Sequence, residues 1–159
     1  MPTIYLSHWG GFRTPGAHGP GRRWTIMALP RRWEKGEGYV PLFVPDAADV
    51  QGVQEGIVTV EEYRARYLRL VASRVRAGGK AYGLFPGHLT AITPLDPVPV
   101  EHGDTLLCAC SVSKAFSNQC HRTWAGAVLR VGGWDVVLDT NPMDEEWARR
   151  ILRIPLTRA

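Results

Sequence analysis

The sequence predicts an α/β domain with a largely parallel sheet, and three stretches carry that prediction. DTLLCAC (104–110) and WDVVLD (134–139) are nearly continuous apolar runs of strand length, the pattern of strands covered on both faces. Between them Cys120, Trp124, Ala127, Val128 and Val131 recur at helical spacing. Strand, helix and strand in that order form a C-terminal βαβ unit. The expected architecture is one three-layer, Rossmann-like domain over 1–159. A chain of 159 residues can bury a single core without disulfide staples.

The remaining elements follow in chain order. TIYLS (3–7) alternates as a first strand, and GGFRTPGAHGPGRR (10–23) is a Gly/Pro loop carrying Arg13, Arg22 and Arg23. WTIMAL (24–29) reads as a second strand stopped by Pro30. The stretch 31–56 reads as irregular, with a short extended piece at Val40–Val44. The clearest helix starts at Thr59. Thr59 and Glu62 form a capping box, and Val58 and Tyr63 a hydrophobic staple. Tyr63, Tyr67, Leu70, Val71 and Val75 share its apolar face, Arg66, Arg69 and Arg76 lie opposite, and Arg64 and Arg74 sit at the boundary. Gly78 and Gly79 end it. Residues 80–103 hold four prolines and no lasting period, with AYGLF or LTAI as short strands. The helix after DTLLCAC is expected to start at Ser117 or Asn118, either of which can cap it, and to end at Gly132 and Gly133. Asn141-Pro142 would open a last helix running to about Arg153.

The net charge of +4 suits an anionic partner without requiring one. No apolar run is long enough to span a bilayer, so no membrane partner is expected. The start MPTIYLSHWGG lacks the basic and apolar segments of a signal peptide, which leaves the cytoplasm as the expected location. In that reducing compartment a cysteine cluster reads as catalytic or metal-binding before it reads as a disulfide framework.

All the cysteines lie in CACSVSKAFSNQCHR (108–122). In a βαβ unit the loop after the first strand lies at the sheet's C-terminal edge, where open α/β sheets bind ligands. A helix start there favours an anion or a thiolate. Three readings compete. A metal site is disfavoured: Cys108 and Cys110 should lie side by side along the strand, and Cys120 and His121 should diverge by about 100° on the helix. A thiol activated at Cys120 by the helix start, Arg122 and His121 is the second reading. In the third, Cys108 is a core residue, His121 bonds a carbonyl and Arg122 pairs with Asp139 or Asp144.

LLCACSVSKAFSNQCHRTWAGAVL (106–129) resembles the signature of the domain-of-unknown-function 488 family: a strand ending Leu-Leu-Cys, a polar loop, and Cys-His-Arg opening a helix. IYLSHWGGFR, WTIMALPRRW and YVPLFVP follow the same order of elements more loosely. The resemblance implies an α/β fold and a site at Cys108, Cys120, His121 and Arg122; it implies no reaction. Cys110 stands where an acidic residue often follows the first cysteine.

The expected function is therefore to bind or process a phosphate-bearing, nucleotide-like ligand, with no metal or cofactor. Whether it is an enzyme stays open. Cys120 and His121 would supply nucleophilic or acid–base chemistry, and Arg122, Arg13, Cys110 and Asn118 would hold the ligand. The alternative is a nucleic-acid- or protein-binding module using Arg66, Arg69 and Arg76 with exposed tryptophans such as Trp9, Trp24 or Trp33.

Overall fold

Strand β1 (Thr3–His8) forms the centre of a five-stranded sheet in the computed structural model of the protein, which describes residues 2–9, 16–30, 36–78, 89–90, 99–110, 115 and 118–153. The sheet order is β2 (Arg23–Thr25), β5 (Thr105–Cys108), β1, β6 (Asp135–Leu138), β7 (Asn141–Met143). β5 and β6 run parallel to β1 on either side, and β2 is parallel to β5. The expected crossover is present: helix α3 (His121–Val131) links β5 to β6 across β1, so the two apolar runs are near neighbours. The chain is thus a small α/β domain with a mostly parallel sheet. The short strands β3 (Leu89–Thr90) and β4 (Pro99–Val100) form a separate antiparallel pair.

Apolar residues of the central strands face α3. Ile4, Leu6, Leu106, Val136 and Leu138 are buried with Trp124, Ala127 and Leu129. Gly126 permits the close approach: a Cβ there would lie 3.3 Å from Val136 Cγ1. On the other face of β1, Tyr5 is met by the loop at Gly19, where a Cβ would collide with the tyrosine ring.

Helix α2 (Val60–Gly78) begins where its cap predicts. Thr59 Oγ1 accepts from the Glu62 amide at 3.1 Å, and Tyr63, Tyr67 and Val71 are buried. Three expectations are corrected. The stretch read as irregular contains helix α1 (Ala47–Gln54), capped by Asp46, whose carboxylate accepts from the Ala48 amide at 2.8 Å. Val40–Val44 is not extended but holds a 3-10 turn at Pro41–Phe43. Asn141-Pro142 does not open the last helix. The pair lies in β7, antiparallel to β6, and Asp144 caps α4 (Glu145–Arg153) through the Trp147 amide at 2.7 Å. Pro142 is tolerated because β7 is an edge strand. Among the described residues no helix is long and apolar enough to cross a membrane.

Candidate functional site

Because β1, β2, β5 and β6 are parallel, their C-terminal ends share one edge of the sheet. In register, His8 ends β1 directly beside Cys108 at the end of β5. Asp139 follows β6 there, its amide bonded to the Leu6 carbonyl at 2.7 Å. The start of α3 arrives at the same edge.

Arg122 is the hub. Its side chain is fully buried, and its Nη2 donates to both oxygens of Asp139, at 3.1 and 3.4 Å. Nη1 donates to the Cys110 carbonyl at 2.6 Å and to Cys108 Sγ at 2.9 Å, with Cys120 Sγ 3.7 Å away. Burial alone would lower its pKa, but Cys108, Cys120 and Asp139 outweigh burial and raise it. Asp139 is the acid that pairs with it, one of the two anticipated. It adopts φ +55°, a sparsely populated conformation for a residue with a side chain. His8 Nδ1 lies 3.4 Å from the same carboxylate. His8 falls within residues 7–13, which the order of elements places beside the site, but no motif singles it out; the signal available is its place at the end of a strand.

The thiols converge more closely than spacing suggested. The three sulfurs of Cys108, Cys110 and Cys120 all lie within 4.8 Å of one another, and Cys108 and Cys120 are 3.3 Å apart. The expected side-by-side arrangement fails because β5 ends at Cys108 and the chain bends at Ala109, turning Cys110 inward. Cys120 and His121 do diverge. His121 is buried against Tyr67, and its Nε2 lies 2.7 Å from the Ile26 carbonyl. A carbonyl only accepts, so Nε2 carries the proton and Nδ1 the lone pair. Burial, reinforced by Arg122, lowers the His121 pKa and keeps the ring neutral.

Several site expectations are corrected in detail. Cys120 is not in the first turn of α3 but is its N-cap residue, and it makes no side-chain capping bond. It is fully buried, and burial, then the hydrogen-bonded thiols Cys108 and Cys110, push its pKa well above the ordinary thiol range. The helix start and Arg122 do not lower it, because loss of water outweighs them. Arg122 faces Asp139, a carbonyl and sulfurs rather than solvent. Asn118 does not cap α3; it sits at φ +61°, and its side chain accepts from Trp124 Nε1 at 2.7 Å. Trp9 and Trp24 are buried rather than exposed. The expected bounds of the site are residues 7–13, the 108–122 turn and Tyr82–His88; of these, Arg13 and Tyr82–His88 lie outside the described residues, as do Trp33 and the side chain of Arg76.

A cavity of about 480 Å³ opens beside the cluster. The start of α3 (Gln119, Cys120, His121) and the end of β5 (Ala109, Cys110) line one side. Met27, Leu29, Pro45, Val50, Val53, Tyr63 and Gln51 line the others. Cys110 is the half-buried thiol of the three. A second depression, of about 770 Å³, runs between Trp9, Gly19–Arg23 and Gly36–Glu37. Elsewhere two arginines of α2 are bonded within the fold. Arg74 Nη1 donates to the carbonyls of Pro41, Leu42 and Val44, and Arg66 pairs with Asp49 at 2.8 Å.

In comparisons with known proteins, no family model matches the chain, no curated protein matches it, and no solved structure matches it.

Proposed function

We propose that the cavity at the sheet's C-terminal edge binds a small phosphate-bearing, nucleotide-like ligand and presents it to the thiol of Cys110 and the imidazole of His121. The observation that carries this reading is the cavity itself, lined on one side by the start of an α-helix without a side-chain cap and on the others mostly by apolar side chains, with Gln51, Gln54 and Glu55 of the α1 end at its rim. Apolar walls suit a flat ring, and the positive end of a helix suits an anion. The roles differ from those the spacing suggested. Arg122 acts as a positioning residue: it holds Cys108, Cys110 and Asp139 together from behind. Cys110 is the thiol on the cavity side, and His121, neutral with its lone pair on Nδ1, is the base.

Adenosine 5′-monophosphate and inorganic phosphate are suitable probes. Either should slow alkylation of Cys110 in the folded, metal-free protein and raise the unfolding midpoint, the nucleotide more than phosphate. Val50→Trp, which fills the cavity from α1, should remove both effects. If neither probe changes labelling or stability, or if protection persists in Val50→Trp, the ligand is not held in this cavity. Binding of single-stranded nucleic acid lost on Arg66→Glu and Arg69→Glu would instead support a nucleic-acid-binding module.

A further inference from the structure

The three-thiol cluster offers more than a wall of the cavity. We propose that Cys108, Cys110 and Cys120 together bind one thiolate-preferring transition-metal ion, Zn²⁺ in the first instance, with its fourth coordination position turned toward the cavity.

The argument rests on convergence. A tetrahedral zinc with Zn–S bonds of about 2.3 Å needs sulfurs about 3.8 Å apart. Cys108 and Cys120 stand at 3.3 Å, and no pair of the three exceeds 4.8 Å. Shifts of roughly an ångström or less would seat the ion. The ligands come from two rigid elements, the end of β5 and the cap of α3, with Cys110 on the bend between them. Cys110 and Cys120 line the cavity, so the fourth position would face it. Three protein ligands and one open position is the pattern of catalytic rather than structural zinc.

The surroundings suit the charge. As the three Zn–S bonds form, each thiol gives its proton to solvent, and the zinc trithiolate carries one net negative charge. The buried Arg122 guanidinium already donates to Cys108 Sγ at 2.9 Å and would offset that charge. Its bonds to Asp139 and to the Cys110 carbonyl fix its orientation, as outer partners of metal ligands commonly do. An arginine aimed into a group of neutral thiols gains little; aimed into metal thiolates it makes charge-assisted hydrogen bonds.

The test uses the full chain in a non-thiol reductant with no nucleotide present, so its outcome is independent of the ligand reading. After dialysis against Zn²⁺ and then metal-free buffer, elemental analysis should find one zinc per chain. Co²⁺ in its place should give strong thiolate-to-cobalt charge-transfer absorption, reversed by a chelator. Cys110→Ser should weaken zinc binding by about 100-fold or more, beyond the usual effect of an outer partner, and should reduce the cobalt thiolate band. Because Cys110 is half-buried, a near-native melting profile of the metal-free variant would establish that it still folds. Absence of stoichiometric metal in the native chain would overturn the site, as would unchanged zinc affinity in folded Cys110→Ser.

Discussion

The two ends of strand β5 bury charge in opposite ways. At its start, Asp104 is enclosed and saturated: its carboxylate accepts from the Arg22 amide at 2.8 Å, the Glu101 amide at 3.0 Å and Trp24 Nε1 at 3.0 Å. Backbone, indole and the Arg22 guanidinium 3.5 Å away close that end, and Gly21 sits so tightly on it that a Cβ would collide with Asp104 Oδ1. At the other end, Arg122 is shared among a carboxylate, a carbonyl and weakly accepting sulfurs, beside a cavity. A buried charge with strong partners on every side is a clamp. A buried charge pointed partly at soft, reactive atoms next to open space is the arrangement expected of a site. The contrast lies in the partners, since the strand and the degree of burial are shared.

The sharpest way to break that comparison is to remove each charge in turn. Arg122→Ala leaves the Asp139 carboxylate buried and uncompensated, and should cost about 3–5 kcal/mol of stability. It should also loosen the sulfurs, so Cys108 and Cys120 become open to alkylation under conditions where the native protein protects them. Asp104→Ala removes the acceptor from hydrogen-bond donors at the closed end, and should cost about 2–3 kcal/mol. It should leave thiol reactivity, nucleotide protection and zinc binding in the folded protein unchanged. Denaturant titrations with parallel alkylation kinetics would measure both. If Asp104→Ala disturbed the thiols as much as Arg122→Ala, the two ends would be one coupled network and the distinction would fail.

The same contrast explains what could be read without coordinates. The βαβ unit and the cap at Thr59 rest on local signals, apolar period and an Oγ placed three residues before an acid, and both are found. Helix α1 is hard to read because Gly52 interrupts its mixed polar surface and Gly56 follows it, although Asp46 after Pro45 is a usable cap signal. The gathering of Cys110, Cys120, His121 and Arg122 at one edge of the sheet was legible, since a βα loop after an apolar strand lies at that edge of a parallel sheet. Its chemistry was not. Whether Cys120 is activated or silenced depends on how much water reaches it, and whether Cys110 turns toward Cys108 depends on one bend at Ala109. His8 lies at the edge where residues 7–13 were expected, but its place beside Cys108 comes from the β1–β5 register, which no local pattern encodes.

The smallest expected effect concerns His121, which sits between the two behaviours: it is clamped to the Ile26 carbonyl yet lines the cavity. Burial, with help from Arg122, lowers its pKa below the ordinary 6.5 in the folded protein, while Cys108 and the Ile26 carbonyl oppose that shift without cancelling it. Between the two values the unfolded chain binds the proton and the folded chain does not. Stability from this group is therefore present above about pH 6.5, falls as pH drops below it, and levels off once the folded pKa is passed. His18 is lowered too, chiefly by burial, and adds a slope of the same sign. Denaturant midpoints measured from pH 7.5 down to about 5.5, above the range where ordinary carboxylates titrate, should decline in the native protein. His121→Gln keeps a donor for the Ile26 carbonyl but cannot titrate, so its decline should be shallower, with His18 contributing to what remains. An identical slope in the variant would mean that His121 takes up a proton as readily folded as unfolded. It would then be a solvated group at the cavity wall rather than a neutral base held behind it.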